Sequence, residues 1–248
     1  MLVVSAFALA ACGSDADSGG GGATGASGAS GAAGAAGGTL RYAVIGDSNS
    51  NGENAGPGQQ ASPDKIAWPA QLAASLNEQG LPTKLVANPA ISGATIEQAV
   101  AEELPAFKKA KPDVATLMIG GNDYVGGVTP EQYRKSYREL LDTMVETVGD
   151  PERMFTVSVP AFYLTPTGAT YVNPDAAPDD VAEFNDIARA ESEDAGVEFV
   201  DIVGISEAMG DDSSLVTPDG LHPTEKEAGL WTDEIAPVAA ERWSELSG

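Results

Sequence analysis

Leu40-Arg41-Tyr42-Ala43-Val44-Ile45-Gly46-Asp47-Ser48-Asn49-Ser50 is the stretch that decides how this chain is read. Leu40, Tyr42, Val44 and Ile45 form an apolar run that reads as a buried parallel strand, and the run stops abruptly at Gly46. In an open α/β sheet, ligands bind at the carboxyl ends of the strands. A serine just past such an end is held by rigid backbone beside a crevice. Ser48 occupies that place. The one histidine of the chain lies far downstream, in Asp219-Gly220-Leu221-His222-Pro223. The reading pairs Ser48, as a nucleophile, with His222, as the base that deprotonates it.

Outward from this strand, strand-like and helix-like segments alternate from Thr39 onward, which points to a parallel sheet covered on both faces. A Gly/Asn/Gln-rich loop, 49–61, is expected to lead into a helix with Ser62 as N-cap, Pro63 at its first position and Gly80 as its stop. A second strand is expected at about 83–88, and Thr95-Ile96-Glu97-Gln98 has capping-box spacing for the next helix. Val114-Ala115-Thr116-Leu117-Met118-Ile119 is nearly all apolar and reads as a central strand. Thr129-Pro130-Glu131-Gln132 repeats the capping box, for a helix ending near Gly149. A fourth strand at about 154–159 and a proline-bearing loop, 160–178, follow; a helix at about 179–195 precedes a fifth strand, Val197 to Ile202. Thr224-Glu225-Lys226-Glu227 caps the last helix, which Pro237 is expected to bend or break. Five strands with intervening helices make a flavodoxin-like three-layer α/β/α sandwich with a five-stranded parallel sheet.

The segments before residue 39 are of another kind. Met1-Leu2-Val3-Val4-Ser5-Ala6-Phe7-Ala8-Leu9-Ala10-Ala11 is apolar but short: as a helix it reaches about 16 Å, half a bilayer core. It reads as a signal-peptide h-region. Leu9-Ala10-Ala11-Cys12 resembles the bacterial lipobox, in which cleavage precedes a cysteine that is then lipidated. No Lys or Arg precedes the apolar run, although such a region is normally positive, so a start upstream of Met1 stays open. Residues 13–38 are almost entirely Gly, Ala and Ser, too poor in large apolar groups to offset the entropy of ordering. They read as a linker with a root-mean-square span of about 28 Å. The expected organisation is therefore a leader over 1–11, a lipid-anchored tether over 12–38 and one domain over 39–248, exported and held at the bacterial cell envelope.

Charge and cysteine content narrow the function classes. The chain carries 13 basic against 37 acidic residues, a net charge of −24. Such a field repels nucleic acid, and it reads as a solvated acidic shell. A calcium-seeking role lacks an EF-hand-like loop. With one cysteine and one histidine, neither an intramolecular disulfide nor a zinc site of the usual nitrogen/sulfur type can be assembled.

Acyl-ester chemistry needs a nucleophile, a base, a group orienting the base, and donors for the developing oxyanion. Ser48 and His222 supply the first two. Asp219, three residues before His222, is close enough to accept from its Nδ1 and fix the tautomer. Each residue taken alone has an ordinary explanation: Ser48 as a loop cap, His222 as a surface histidine. The ordered set is what singles them out. Asp47 and Asp123 read as loop braces. Tyr124, Phe162 and Tyr163 follow strand ends and are candidates to line a pocket.

The set is similar to the SGNH, or GDSL-type, esterases, which are defined by four short blocks in fixed order. Gly46-Asp47-Ser48 matches the nucleophile block, with Asn49 where leucine is common. Gly93, in Asn88-Pro89-Ala90-Ile91-Ser92-Gly93-Ala94-Thr95, matches the second block. Gly120-Gly121-Asn122-Asp123 matches the third and Asp219-Gly220-Leu221-His222 the fourth. The resemblance implies a catalytic set of Ser48, Asp219 and His222, an oxyanion hole of the Ser48 and Gly93 N–H groups with Asn122, and no metal or organic cofactor. The implied substrate is a small ester, a lipid or an acetylated glycan. Acyl transfer to a glycan hydroxyl by the same residues, and a non-catalytic surface-binding lipoprotein, stay open beside hydrolysis. An α/β-hydrolase fits less well, because Gly46-Asp47-Ser48-Asn49-Ser50 lacks the final glycine of the G-x-S-x-G elbow.

Overall fold

In the computed structural model, which describes residues 38–53 and 66–247, the decisive apolar run is strand β1, Leu40–Gly46. Its side chains divide between two buried layers. Leu40, Tyr42 and Val44 belong to a core with Trp68, Leu72, Trp231 and Trp243, whereas Ala43 and Ile45 join Ile96, Phe107, Tyr133 and Leu140. Burial on both faces is what makes the run continuous rather than alternating. Four strands follow: β2 (Thr83–Ala87), β3 (Val114–Met118), β4 (Met154–Val157) and β5 (Glu198–Val200). They pair in the order β2-β1-β3-β4-β5, each pair parallel. This is the doubly wound flavodoxin-like order, with its switch point between β1 and β3.

The helices are α1 (Ser48–Asn51), α2 (Trp68–Glu78), α3 (Ile96–Gln98), α4 (Leu104–Ala110) and α5 (Gly121–Val125). After them come α6 (Pro130–Val148), α7 (Ala177–Asp194), α8 (Val203–Ser206) and α9 (Glu225–Ser244). Thr95 and Thr129 both close complete capping boxes, their hydroxyls accepting from Gln98 and Gln132 N–H while those glutamines return the bond. That satisfies orphan donors in pairs, as the spacing predicts.

Several expectations need correction. The chain after Asp47 is not loop from residue 49: Ser48–Asn51 makes a helical turn, because the Asp47 carboxylate accepts from Asn49 N–H at its N-cap. Helix α2 takes Ala67 as N-cap and Pro69 in its first turn, and the expected start at Ser62 and Pro63 lies outside the described residues. Pro237 does not end α9, which runs unbroken to Ser244. Both Pro237 and Asp233, whose carbonyl loses its partner, are exposed, so solvent can satisfy that carbonyl. Between α3 and α4 the chain winds as a π-helical turn, Ala99–Glu103. Nothing in the residue pattern announces that extra residue. The expected leader, Cys12 and the expected tether up to residue 37 also lie outside the described residues.

Candidate active site

Beyond the carboxyl ends of β1 and β3 lies a cavity of about 450 Å³. Ser48, Gly93, Asn122 and His222 all line it, so residues spread over 175 positions of chain (48 to 222) meet at the switch point of the sheet. Ser48 is reached directly from the end of β1 through the Asp47 cap and is 9 % exposed. Asp219 stands behind His222: its Oδ2 accepts from His222 Nδ1 at 2.7 Å. Its Oδ1 accepts from the Thr217 hydroxyl at 2.6 Å and from the N–H groups of Leu221 and His222 at 2.8 and 3.1 Å. Burial pushes this carboxyl up, but those hydrogen bonds outweigh it and hold the group well below the usual carboxylate range. Asp219 is an anion at any pH near neutral, and an imidazole bonded through Nδ1 is left with Nε2 as its basic nitrogen. Among the described residues no direct hydrogen bond joins the Ser48 hydroxyl to His222; such contacts tighten when substrate closes the site.

The side of the cavity that carries Gly93 and Asn122 is held from three loops. Ile91-Ser92-Gly93-Ala94 is a turn closed by Ala94 N–H to the Ile91 carbonyl at 3.0 Å, with Gly93 third at φ 79°. That left-handed value at the third position is the type II signature, and it is the reason for glycine, since an added Cβ would meet no atom within 4 Å. Asn122 Nδ2 donates to the Ala94 carbonyl at 3.1 Å and makes a long 3.4 Å contact to Asp47 Oδ2. Asp123 is buried and accepts Ile96 N–H on both oxygens at 3.2 Å, so it ties α5 to α3. Burial pushes Asp123 up to about 6 and also raises Asp47. Both aspartates brace loops, as the sequence indicates.

Several contributors were not legible. Asn51 and Asn88 stitch the turn after β1 to the loop after β2, through Asn51 Nδ2 to Ala90 O at 2.9 Å and Asn88 Nδ2 to Ser50 O at 2.7 Å. Thr167 pins the histidine loop, its hydroxyl donating to Asp219 O at 2.6 Å and its N–H to Gly220 O at 2.8 Å. The spacing of Thr217 from Asp219, two residues, was the one local signal available. Of the three aromatics named from sequence, Phe162 lines the cavity. Tyr124 instead packs edge-on against Phe184 and donates to Asp180, and Tyr163 is buried beside Val159 and Val181. Tyr171, half of it exposed, lines the cavity in their place with Val125, Val159 and Leu221.

The profile of the GDSL-like lipase/acylhydrolase family matches residues 44–226, from within β1 to the start of α9. The chain belongs to that family. Among relatives, thioesterase 1/protease 1/lysophospholipase L1 of Escherichia coli (strain K12) is 33% identical over 120 residues, 48% of this chain and 52% of that protein. The chain thus spans about half the length of the curated relative it matches. The crystal structure of TesA superposes with a TM-score of 0.63 at 19% identity, covering 82% of this chain and 99% of that one. A Clostridium thermocellum family 3 carbohydrate esterase gives 0.63 at 20% identity over 85% and 100%. At such identities the likeness is one of fold, and it agrees with the five-stranded parallel sheet. Within this GDSL-like chain the family match spans all four blocks quoted above.

Proposed function

We propose that the chain is a serine esterase that hydrolyses carboxylic esters at this cavity. The observation that carries the reading is the Asp219–His222 pair, 2.7 Å apart, on the wall of the cavity that Ser48, Gly93 and Asn122 also line. Ser48 Oγ attacks the ester carbonyl carbon while His222 Nε2 takes its proton. The oxyanion accepts from the N–H groups of Ser48 and Gly93 and from Asn122 Nδ2, whose long contact to Asp47 is the one to be exchanged. The imidazolium, stabilised by Asp219, gives the proton to the leaving alcohol. Water, deprotonated by the same nitrogen, then releases the acid.

Val125, Val159, Phe162, Tyr171 and Leu221 give the cavity a largely apolar wall, which favours an ester with an apolar acyl group. Ser48→Ala should lower kcat/KM on p-nitrophenyl esters by about four to six decades, by analogy with serine protease triads. Turnover within ten-fold of the unaltered protein would end the nucleophile assignment. A series from acetyl to decanoyl reads the acyl preference.

We place the enzyme at the cell envelope, anchored through lipid on Cys12, on the strength of Leu9-Ala10-Ala11-Cys12 and the tether-like composition after it. Two or more acyl chains give stable anchoring where one is marginal. Expressed in a bacterium with lipoprotein processing, the full chain should sediment with membranes and take up a fatty-acid label, and Cys12→Ser should lose both. Label retained by that variant would refute the anchor.

A further inference from the structure

Glu103 is the last residue of the π-helical turn and is wholly buried, yet it lines no part of the cavity. Its two oxygens bind two different segments of the site. Oε2 accepts the Gly46 N–H at 3.1 Å, and Oε1 accepts the Ile91 N–H at 3.2 Å. Gly46 ends β1, two residues before Ser48. Ile91 opens the turn whose third residue is Gly93.

Neither donor bonds within the sheet: Ile91 lies beyond the end of β2 at Ala87, and its N–H, like that of Gly46, goes to Glu103. On the β2 side of β1 the ladder stops at Ala43↔Ala87, so Gly46 lies beyond the last pair on that edge. On the β3 side Gly46 stands opposite Met118, but its single N–H goes to Glu103 and not to that strand. A buried backbone N–H left unpaired is costly, and a carboxylate oxygen satisfies it more strongly than a neutral acceptor. One rigid planar group therefore spans the two segments that carry the Ser48 and Gly93 N–H groups. π-helical turns recur at functional sites, because their one extra residue re-aims the side chains that follow.

We propose that Glu103 is a positioning residue of the active site, a strut that sets the separation of two oxyanion donors it never shares a substrate with. The proposal rests on the serine-esterase reading above. Protonation converts one of its oxygens from acceptor to O–H, which then faces an N–H and lets one segment go. Burial pushes this carboxyl up to about 7, against the two backbone bonds that lower it. The charged groups acting on it are Asp47, next to β1, and Glu102, on its own turn, and both raise it. The strut is thus fully formed only on the alkaline side of neutrality.

Glu103→Gln tests this, since the amide keeps one acceptor and turns a donor toward the other N–H. On a p-nitrophenyl ester kcat should fall about ten- to a hundred-fold with KM within two-fold, as expected when reacting groups shift without loss of substrate contacts. Labelling of Ser48 by a fluorophosphonate should slow in parallel. The ratio of unaltered to variant kcat should climb from near one at pH 5.5 to its full value at pH 8.5. His222 is common to both proteins and cancels in that ratio. A ratio independent of pH, or a kcat unchanged in a variant of lowered thermal stability, would reduce Glu103 to a purely structural buried group. If the variant does not fold, Glu103→Asp, which keeps the charge but reaches one N–H, is read by the same split of kcat from KM. Failure of the enzymatic reading looks different: the unaltered protein, or Ser48→Ala against it, shows no ester turnover to compare.

Discussion

Asp219 shows how much of a residue's role lies in what it accepts. Its Oδ1 accepts from Thr217, Leu221 and His222 of its own loop while Oδ2 faces the imidazole, so the carboxylate is fixed before it meets the ring. Asp219→Asn keeps the shape but can present an NH₂ to His222 Nδ1, which turns the imidazole into the tautomer that cannot act as base. We expect kcat to fall by about three to four decades, the size of the loss when a triad aspartate is made an amide. A loss below ten-fold, measured at several pH values, would mean that Asp219 serves the loop and not the base. The residues proposed for the triad and for the oxyanion could be picked out because each stands in a short, distinctive block. Glu103 was not: a glutamate among Ala-Glu-Glu on a helix reads as solvated surface, and only the π turn carries it inward.

At the scale of elements, what could be read from sequence was what local chemistry fixes. Strands β1 and β3 announced themselves because both faces are buried, and the two complete capping boxes formed as spaced. The misjudged places depended on tertiary surroundings. Pro237 is tolerated because its side of α9 is exposed, and the loop 160–178 is ordered into two 3₁₀ turns, Phe162–Leu164 and Gly168–Thr170. That second turn brings Thr167 against the histidine loop, a contact across 52 positions of sequence. Thr167→Val removes the hydroxyl bond to the Asp219 carbonyl while leaving the Thr167 N–H bond to Gly220 in place. The expected result is a loss of about 1 kcal/mol of stability and a kcat lower by about three- to ten-fold, from a base held less firmly. Chemical denaturation beside steady-state kinetics checks both, and an unchanged kcat would make the loop a bystander.

For the whole molecule the question is how so acidic a chain responds to pH. Buried carboxyls and surface charge act in the same direction. Glu103 and Glu227 are pushed up to about 7 and Asp123 to about 6, in each case chiefly by burial. A carboxyl whose native value lies above its unfolded value of about 4 favours the fold at low pH, and that contribution is lost as pH rises through the native value. Asp219 acts in the opposite sense, but its contribution disappears only below about pH 4. The net charge of −24 adds self-repulsion that grows with ionisation. Thermal stability should therefore peak near pH 5 and decline toward pH 8, by about 4–8 °C in Tm for each 2 kcal/mol lost in a domain of this size. Salt separates the two causes, because surface repulsion is screened at about 0.5 M and buried groups hardly are. Glu227 isolates the buried part further: Oε1 accepts from Trp231 Nε1 at 2.6 Å, while Oε2 is buried with no hydrogen-bond partner among the described residues. Glu227→Gln can keep the acceptor for Trp231 and removes a charge that has half its oxygens unsatisfied, so it should raise Tm at pH 8 and change little at pH 5. A decline that vanishes in high salt, or a Glu227→Gln melt that tracks the unaltered protein at every pH, would assign the whole effect to the surface.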